Sequence, residues 1–313
     1  MRVTNALVTR SLSRRLLENQ RLLSEAQERV ATGKRVQKLS DDPTAGSAIM
    51  QAGGSLRGIA QYTRNVEHLA TRLDAEDSAL GQLTDLMTRA RELGVATVGG
   101  NVDAAGRRAA GAELRQLLGQ VVNVANTKLG DDYLFGGIGN DGRAPFTLPT
   151  LQADGTTTFV VLDPPADPAD APTPRVPTGE RQYEIAAGQT MSGPHAGGKV
   201  FLDSGMLDAL NRLAFAMETD QTADMGSAMR DLDVAFSDVQ ALVGEIGARQ
   251  NQSDIVRAGL AALRDTFTAQ KSALSEVEME QAITEMVQRQ TAYQAAMLAS
   301  SKVMGLSLAE YLR

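Results

Sequence analysis

The stretch "LSDDPTAGSAI", residues 39–49, places two acidic residues and a proline directly ahead of a run of small and apolar residues. Asp41 or Asp42 can accept hydrogen bonds from free backbone N–H groups, and Pro43 suits a first helical turn because that position needs no N–H donor. We therefore predict that a helix begins near residue 43. The segment before it also has a helical pattern, so it forms a separate element.

The segment ahead of this turn carries a narrow apolar stripe. Its apolar residues, with Asn19 and Ala26 between them, follow alternating steps of four and three as far as Gly33, which is the spacing of a coiled-coil seam. The spacing predicts an N-terminal helix within residues 1–40 that packs through one narrow face. The residues of this seam are Leu12, Leu16, Leu23 and Val30.

A similar stripe runs through the end of the chain. The seven-residue spacing of the preceding segment changes its register after Ser275, and this change mirrors the turn at residues 39–43. We predict a C-terminal helix within residues 275–313, with a second seam of the same kind. The residues of this second seam are Met279, Ile283, Met286, Tyr293, Met297 and Met304.

Two long heptad patterns lie between these ends and predict a helical stalk, with an outgoing arm over residues 41–130 and a returning arm over residues 205–274. Residues 131–204 hold nine of the ten prolines and six of the twelve aromatic residues, so we predict a small β-rich insert there. Its clearest strands are "TTTFVVL" and "RQYEIAAG", and residues 163–177 are expected to form an exposed Pro-rich loop. The predicted fold is mainly α, a long coiled-coil-like stalk carrying this inserted domain. The heptad positions are Ile59, Val66, Leu73, Leu80 and Met87 in the outgoing arm, and Leu232, Val239, Ile246, Leu260, Phe267 and Leu274 in the returning arm.

Composition excludes several classes of protein. The 313 residues include no Cys and only two His, so a disulfide framework, a thiolate metal site and a His-rich metal site are unavailable. The net charge of −7 disfavours a nucleic-acid binder, and no apolar stretch has the roughly 18 to 20 residues that span a bilayer. The N-terminus lacks the apolar block of a signal peptide. A cytoplasmic location is the default from these residues, and export without a cleavable signal stays open.

Charge is distributed unevenly between the two ends. Residues 1–40 carry nine basic and three acidic side chains, whereas residues 274–313 carry three basic and five acidic ones. A basic N-terminal helix beside an acidic C-terminal helix explains this pattern, and so do two independently solvated helix faces.

Two glycine-rich stretches resemble phosphate-binding motifs and have to be weighed as signs of an enzyme. "GIGNDG", residues 137–142, fits G-x-G-x-x-G, but Pro145 follows where a helix has to receive the pyrophosphate. "GPHAGGKV", residues 193–200, ends in Val200 where a P-loop needs Ser or Thr, and the following "FLD" is predicted to be a strand. We interpret both as glycine-rich turns and expect no catalytic role for His195, which has no second His or Cys near it in sequence.

The two terminal seams favour an assembly protein over an enzyme. A lone pair of helices with such narrow stripes buries little surface, whereas stacked copies supply further neighbours for each stripe. A helical-hairpin signalling or binding module is the alternative from a different class. Such a module predicts a membrane-spanning helix and an unbroken hairpin, and this chain has a β-rich insert at the turn.

The chain resembles the flagellin-like axial proteins of bacterial flagella. "LSRRLLENQRLLSEAQERVATGKRVQKLSDDPTAGSAI", residues 12–49, resembles their N-terminal helix, turn and second helix, and "GARQNQSDIV", residues 247–256, their returning helix. "SALSEVEMEQAITEM" and "TAYQAAMLASSKVMGLSLAEYL" resemble their C-terminal segment. Within this family the "DDP" of residues 41–43, "DDYLFGGIGNDGRAPF" and "YEIAAGQTMSGPHAGGKVF" are similar to the hook–filament junction branch.

The resemblance implies a non-enzymatic structural adaptor without cofactors or metals, with filament flagellin as the alternative. It implies that Ser40, Asp41, Asp42 and Pro43 join the inner terminal helix to the stalk, and that the terminal seams are the assembly surface. It also implies secretion by the flagellar type III apparatus and a location in the flagellum at the cell surface. The implied partners are an export chaperone, copies of the same chain in a ring, a hook-associated protein on the hook side and flagellin on the filament side, with no nucleic acid and no membrane.

Overall fold

The computed structural model describes residues 2–98, 102–139, 142–151, 157–163 and 173–311. The chain forms two compact units. Unit 1 consists of residues 1–58 with 262–313, and unit 2 consists of residues 59–261. Each unit therefore combines segments from both halves of the sequence. The division of the chain into five functional segments, with boundaries at residues 40, 130, 204 and 274, stays a prediction.

Six long helices dominate the described residues and confirm the mainly α class. Helix α1 precedes the turn at residues 39–43, and α2 begins at the expected proline. Helix α5 ends at Ser275, where the register change was predicted. The helices are α1 (Arg2–Thr32), α2 (Pro43–Val98), α3 (Ala104–Ala125), α4 (Met206–Glu218), α5 (Thr222–Ser275) and α6 (Met279–Tyr311).

The β-rich insert consists of short hairpin-like ladders. Each described strand pairs antiparallel with its neighbour in sequence, giving four two-stranded ladders. The "TTTFVVL" stretch contributes β4 and the first residue of β5, and "RQYEIAAG" contains β7. The strands are β1 (Lys128–Leu129), β2 (Asp132–Tyr133), β3 (Phe146–Leu151), β4 (Thr157–Val160), β5 (Leu162–Asp163), β6 (Thr173–Pro174), β7 (Gln182–Ala186) and β8 (Gln189–Ser192).

The core of unit 2 follows the heptad patterns of the two arms. Val66, Leu73 and Leu80 on α2 are fully buried, as are Leu232 and Val239 on α5. Residues three positions after the heptad positions Val66, Leu80 and Met87 are fully buried as well. Two residues of each of these heptads therefore face the core, as the spacing predicts. These additional positions are Leu69, Leu83 and Ala90.

The returning arm departs from a single helix. Helices α4 and α5 are separated by a turn at Asp220, whose φ of +61° lies in the left-handed region. Nε of Arg107 on α3 donates to the Asp220 carboxylate at 2.5 Å. Helix α4 packs against α3, where Arg115 makes a bidentate contact with Glu218 at 2.7 and 2.8 Å. The sequence pattern missed this break because the heptad positions identified in the arm start only at Leu232.

The expected strand at "FLD" is wrong, because residues Gly198–Asp203 form a short π-helix. Val200 and Phe201 are adjacent and both fully buried, whereas consecutive residues of a strand point to opposite faces. The Phe201 ring packs edge-on against Phe135, with centroids 5.1 Å apart, and against Phe146 at 5.2 Å. This aromatic cluster anchors the chain where it leaves the insert.

Both ends of the predicted Pro-rich loop form backbone hydrogen bonds within the insert. Residues 164–172 of the predicted loop lie outside the described part of the chain. On its flanks, β5 pairs with β6, and the carbonyl of Pro177 accepts a hydrogen bond from the Gly198 N–H at 2.9 Å. Pro177 is itself buried. Its flanks are therefore part of the packed insert.

We expect Phe201→Ala to destabilise the protein by about 3 to 5 kcal/mol, because it leaves a cavity among Phe135 and Phe146. Urea denaturation followed by circular dichroism measures this change. Phe215→Ala on α4 is the matched control, since Phe215 is 51% exposed and its replacement is expected to change stability by about 0.5 kcal/mol at most. Equal effects of both substitutions would contradict the packing described for Phe201.

Candidate functional site

The predicted N-terminal seam lies on the side of α1 that is turned away from solvent. Helices α1 and α6 are in contact, and all four seam residues are half-buried. Ala26, between two of them, is buried, whereas Leu17 on another face is 64% exposed. The four-three spacing of Leu12, Leu16, Leu23 and Val30 therefore describes the face by which α1 meets α6 within one chain.

The predicted C-terminal seam is divided between two faces of α6. Met286 and Tyr293 are half-buried, but Met279, Ile283 and Met297 are exposed. The side chain of Met304 lies outside the described side chains. Apart from Glu285, the described residues of α6 that are shielded from solvent follow their own four-three spacing, and we call them the inner stripe: Ala282, Met286, Arg289, Tyr293, Ala296 and Ser300.

A second apolar stripe lies beside the inner stripe. At 100° per residue, its members occupy one flank of the helix, and their exposed fractions are 43 to 69%. Gln288, which is also exposed, lies on the opposite flank. We call this stripe the lateral face of α6: Met279, Ile283, Val287, Met297 and Leu298.

Charges also link the two terminal helices. Nη1 of Arg29 on α1 lies 3.1 Å from Oε2 of Glu285 on α6. This contact agrees with a basic N-terminal helix beside an acidic C-terminal one, the first of the two readings of the charge pattern. Both side chains are more than a third exposed, so the ion pair contributes about 1 kcal/mol at most.

The two helix breaks hydrogen-bond to each other. The Arg35 N–H donates to the Ser275 carbonyl at 2.7 Å, and the Val277 N–H donates to the Gly33 carbonyl at 3.0 Å. Lys34 and Glu276 face each other as an isolated antiparallel β-bridge. We call this element the crossing bridge. It places the end of α1 beside the start of α6, so the two helices run antiparallel.

Asp41 and Asp42 have separate roles in the junction turn. Oδ2 of Asp41 accepts the backbone N–H groups of Gln37 and Lys38, whereas Oδ1 of Asp42 accepts the N–H of Ala45 and caps α2. These backbone hydrogen bonds lower the pKa of both carboxyls. The carboxylates therefore stabilise the turn above their unfolded pKa, and this contribution is lost as the pH falls through the lowered values.

Arg35 connects the junction turn to the crossing bridge. Its Nη1 lies 3.2 Å from Oδ2 of Asp42, and its Nη2 donates to the Leu274 carbonyl at 3.1 Å. Pro43 is the first residue of α2, and Ser40 is exposed in the turn. The four predicted junction residues thus lie between the crossing bridge and the first turn of α2, and their function as a joint stays a prediction.

The second glycine motif does not present free amides to a phosphate. The N–H groups of Gly193, Gly197 and Gly198 donate to the carbonyls of residues 181, 135 and 177. A Cβ on Gly197 would lie 2.6 Å from the Phe146 ring, so this glycine allows close packing. In the first motif, residues 140 and 141 lie outside the described residues.

The described part of the chain forms neither a metal centre nor a membrane span. No group of three or more His, Asp or Glu side chains there has the geometry of a metal site. No described helix has both the length and the apolar composition to cross a membrane.

Comparison with known proteins finds flagellar relatives. Residues 3–140 match the family model of the bacterial flagellin N-terminal helical region. Flagellar hook-associated protein 3 of Escherichia coli is 25% identical over 291 residues, 90% of each chain. Flagellin of Listeria monocytogenes is 26% identical over 127 residues, 41% of this chain and 44% of that one. The crystal structure of FlgL from Bacillus cereus has a TM-score of 0.55 at 19% identity, covering 71% of this chain and 99% of that one, a likeness of fold.

The crossing bridge depends on Gly33, which ends α1 with a φ of +67°. A Cβ there meets no atom within 4 Å, so Gly33→Ala is expected to cost about 1 to 2 kcal/mol through the left-handed conformation alone. Gly53→Ala, inside α2 and equally uncrowded, is expected to stabilise by about 0.5 to 1 kcal/mol. Urea denaturation of both variants measures the difference, and shifts of the same sign would contradict this role of Gly33.

Proposed function

Because residues 3–140 match the flagellin N-terminal helical region and flagellar hook-associated protein 3 of Escherichia coli is 25% identical over 90% of this chain, we propose that the protein is a structural adaptor of the bacterial flagellum. In this proposal it joins the hook to the flagellin filament and assembles through its terminal helices. It is exported, works at the cell surface, and has no enzymatic activity and no cofactor. The proposal includes a ring of identical copies, a hook-associated protein on one side, flagellin on the other, and a chaperone during export.

The lateral face of α6 is the observation that carries the proposal. A pair of helices needs one apolar stripe on each partner, and the inner stripe of α6 already serves that purpose against α1. The lateral face adds five large apolar side chains at 43 to 69% exposure on the same helix. Exposed apolar patches mark interaction sites in soluble proteins. Met279, Ile283 and Val287 form one such group at steps of four, and Met297 and Leu298 follow on the same flank. Two adjacent stripes suit a helix that packs against neighbours on two sides, as in an assembly.

The half-buried seam of α1 supports the same interpretation. Leu16, Leu23 and Val30 keep part of their surface in contact with solvent although α6 is paired with α1. Additional helices from neighbouring copies can remove this remaining apolar surface from water. The seams predicted from the sequence would then have two uses, one within the chain and one between chains.

Filament flagellin is the second candidate function, because residues of this chain match a flagellin at 26% identity. The two candidates differ in what the purified protein does. An adaptor adds to the end of a hook and then lets supplied flagellin polymerise, whereas a flagellin polymerises into long filaments by itself. Electron microscopy of hooks that lack the native adaptor, incubated with the purified protein, separates the two.

We expect Ile283→Asp to leave the monomer folded and to abolish filament growth in this assay. Ile283 is 45% exposed in the chain, so the charge costs little there, but in an assembled interface an unpaired ion costs several kcal/mol, roughly a hundredfold or more in association. Met297→Asp, at 48% exposure, is expected to act in the same way. The readout is the number and length of filaments grown from supplied flagellin.

Gln288→Asp is the matched control, because it adds a carboxylate at an exposed position on the opposite flank of α6. It is expected to support filament growth. Purified protein avoids any effect of the substitutions on export, and circular dichroism checks that each variant is folded. Normal growth with Ile283→Asp and Met297→Asp would refute the lateral face as the assembly surface.

A further inference from the structure

His195 lies fully buried where the chain leaves the insert, between β8 and the π-helix. Its backbone N–H donates to Oε1 of Glu76 on α2 at 3.1 Å, and its ring Nδ1 lies 2.9 Å from the same oxygen. Glu76 is also fully buried. Residues 193–199, which we call the return segment of the insert, therefore contact the outgoing helix α2 through Oε1 of Glu76.

The other side of the imidazole faces the returning helix. Nε2 of His195 lies 3.1 Å from Oε2 of Glu245 on α5. Glu245 also contacts Nζ of Lys199 in the π-helix at 3.2 Å and Nη2 of Arg249 on α5 at 2.5 Å. The same arginine donates to the Gly193 carbonyl at 2.5 Å. Residues 193–199 thus contact both α2 and α5.

Two more charged residues lie close to this group. Oε1 of Glu180, just before β7, is 3.9 Å from Nε2 of His195, and its Oε2 is 3.1 Å from Arg249. Arg72, one turn before Glu76 on α2, directs Nη1 to Asp132 at 3.6 Å. The histidine ring therefore lies within 4 Å of three carboxylates, and Lys199 and Arg249 contact two of these carboxylates from outside, all within residues 59–261.

The two carboxylates that flank His195 differ in environment. Desolvation raises the pKa of Glu76, although hydrogen bonds from His195 oppose this shift, and its buried Oε2 has no hydrogen-bond partner among the described residues. Desolvation alone would also raise the pKa of Glu245, but its contacts with Arg249, His195 and Lys199 outweigh it and lower that pKa to about 2. Acid therefore neutralises Glu76 long before Glu245.

We propose that Glu76, His195 and Glu245 form a proton-dependent latch, which holds the return segment against α2 and α5 more tightly at mildly acidic pH than at neutral pH. Opening the latch exposes Glu76 to water. Since the closed latch raises the pKa of this carboxyl, the closed state binds a proton more strongly than the open one, and acidification favours closure. After protonation of Glu76, its Oε1 can still accept hydrogen bonds from the backbone N–H and the ring Nδ1 of His195. The proton removes the buried negative charge of the carboxylate, whose Oε2 has no partner among the described residues.

Glu245 limits this effect at low pH. The contacts that lower the pKa of Glu245 stabilise the closed latch at pH values above its unfolded pKa near 4.5. This contribution is lost as the pH falls from 4.5 towards 2. Closure therefore strengthens as the pH falls through the raised pKa of Glu76, and it weakens again as the pH falls below about 4.5. The latch lies in unit 2 and does not involve the lateral face of α6, so it is independent of the proposed assembly function.

Hydrogen exchange of the His195 amide in the full-length protein tests the latch, because this N–H donates directly to Glu76. After correction for intrinsic exchange, we expect its protection to be higher at pH 4.5 than at pH 7.5, because the closed state binds the additional proton once the pH falls below the raised pKa of Glu76. Glu76→Gln keeps an acceptor oxygen and removes the charge, so its protection is expected to be the same at both pH values. Glu67→Gln, exposed on the same helix, is expected to keep the wild-type response.

Glu245→Gln gives a second test that does not require the Glu76 variant to fold. It is expected to keep the rise in protection between pH 7.5 and 4.5, since Glu76 still titrates. An unchanged pH response in Glu76→Gln would overturn the proposal and assign the proton to another group. Loss of the response in Glu245→Gln would also overturn it.

Discussion

The crossing bridge is the constraint on which the arrangement of the chain ends depends. The Arg35 N–H donates to the Ser275 carbonyl, and the Val277 N–H donates to the Gly33 carbonyl. About 240 residues separate these two segments in sequence. Gly33 makes this possible because its left-handed backbone ends α1 and turns the chain towards the partner segment. Once these hydrogen bonds fix the end of α1 beside the start of α6, the two helices can only continue side by side and antiparallel.

This pairing leaves α6 with more apolar surface than one partner can cover. Half of the inner stripe consists of the small residues Ala282, Ala296 and Ser300, which allow a close approach to α1. The larger Ile283, Val287 and Leu298 stay on the lateral face. Methionine at two lateral positions suits contact with neighbours of differing shape, because its side chain is flexible and polarizable. In our account, copies of the chain and its flagellar neighbours cover this face.

The sequence was most informative where burial follows a regular period. The heptad positions from Val66 to Met87 are fully buried as predicted, because in unit 2 one helix face meets one core. On α6 the period did not separate the two faces, because the predicted seam combines Met286 and Tyr293 of the inner stripe with exposed residues of the lateral face. The start of α2 at Pro43 was predictable from its cap, since that signal is local.

Contacts between distant residues could not be predicted in this way. His195 and Glu76 are 119 residues apart, and only the packing of the insert against the helices brings them together. The π-helix at Phe201 was missed because a short apolar run is compatible with either a strand or a helix. The glycines around His195 resembled a phosphate loop, and a sequence pattern does not distinguish amides that bind a ligand from amides that bind carbonyls.

The most direct test of the account is the solvent accessibility of residue 283 before and after assembly. The chain has no cysteine, so a single Ile283→Cys substitution gives one site for a maleimide probe. We predict that this cysteine reacts readily in the monomer and is protected in isolated hook–filament complexes, whereas a cysteine introduced by Gln288→Cys stays reactive in both. Equal reactivity of the cysteine at position 283 in monomer and complex would contradict the claim that the lateral face of α6 is buried by assembly.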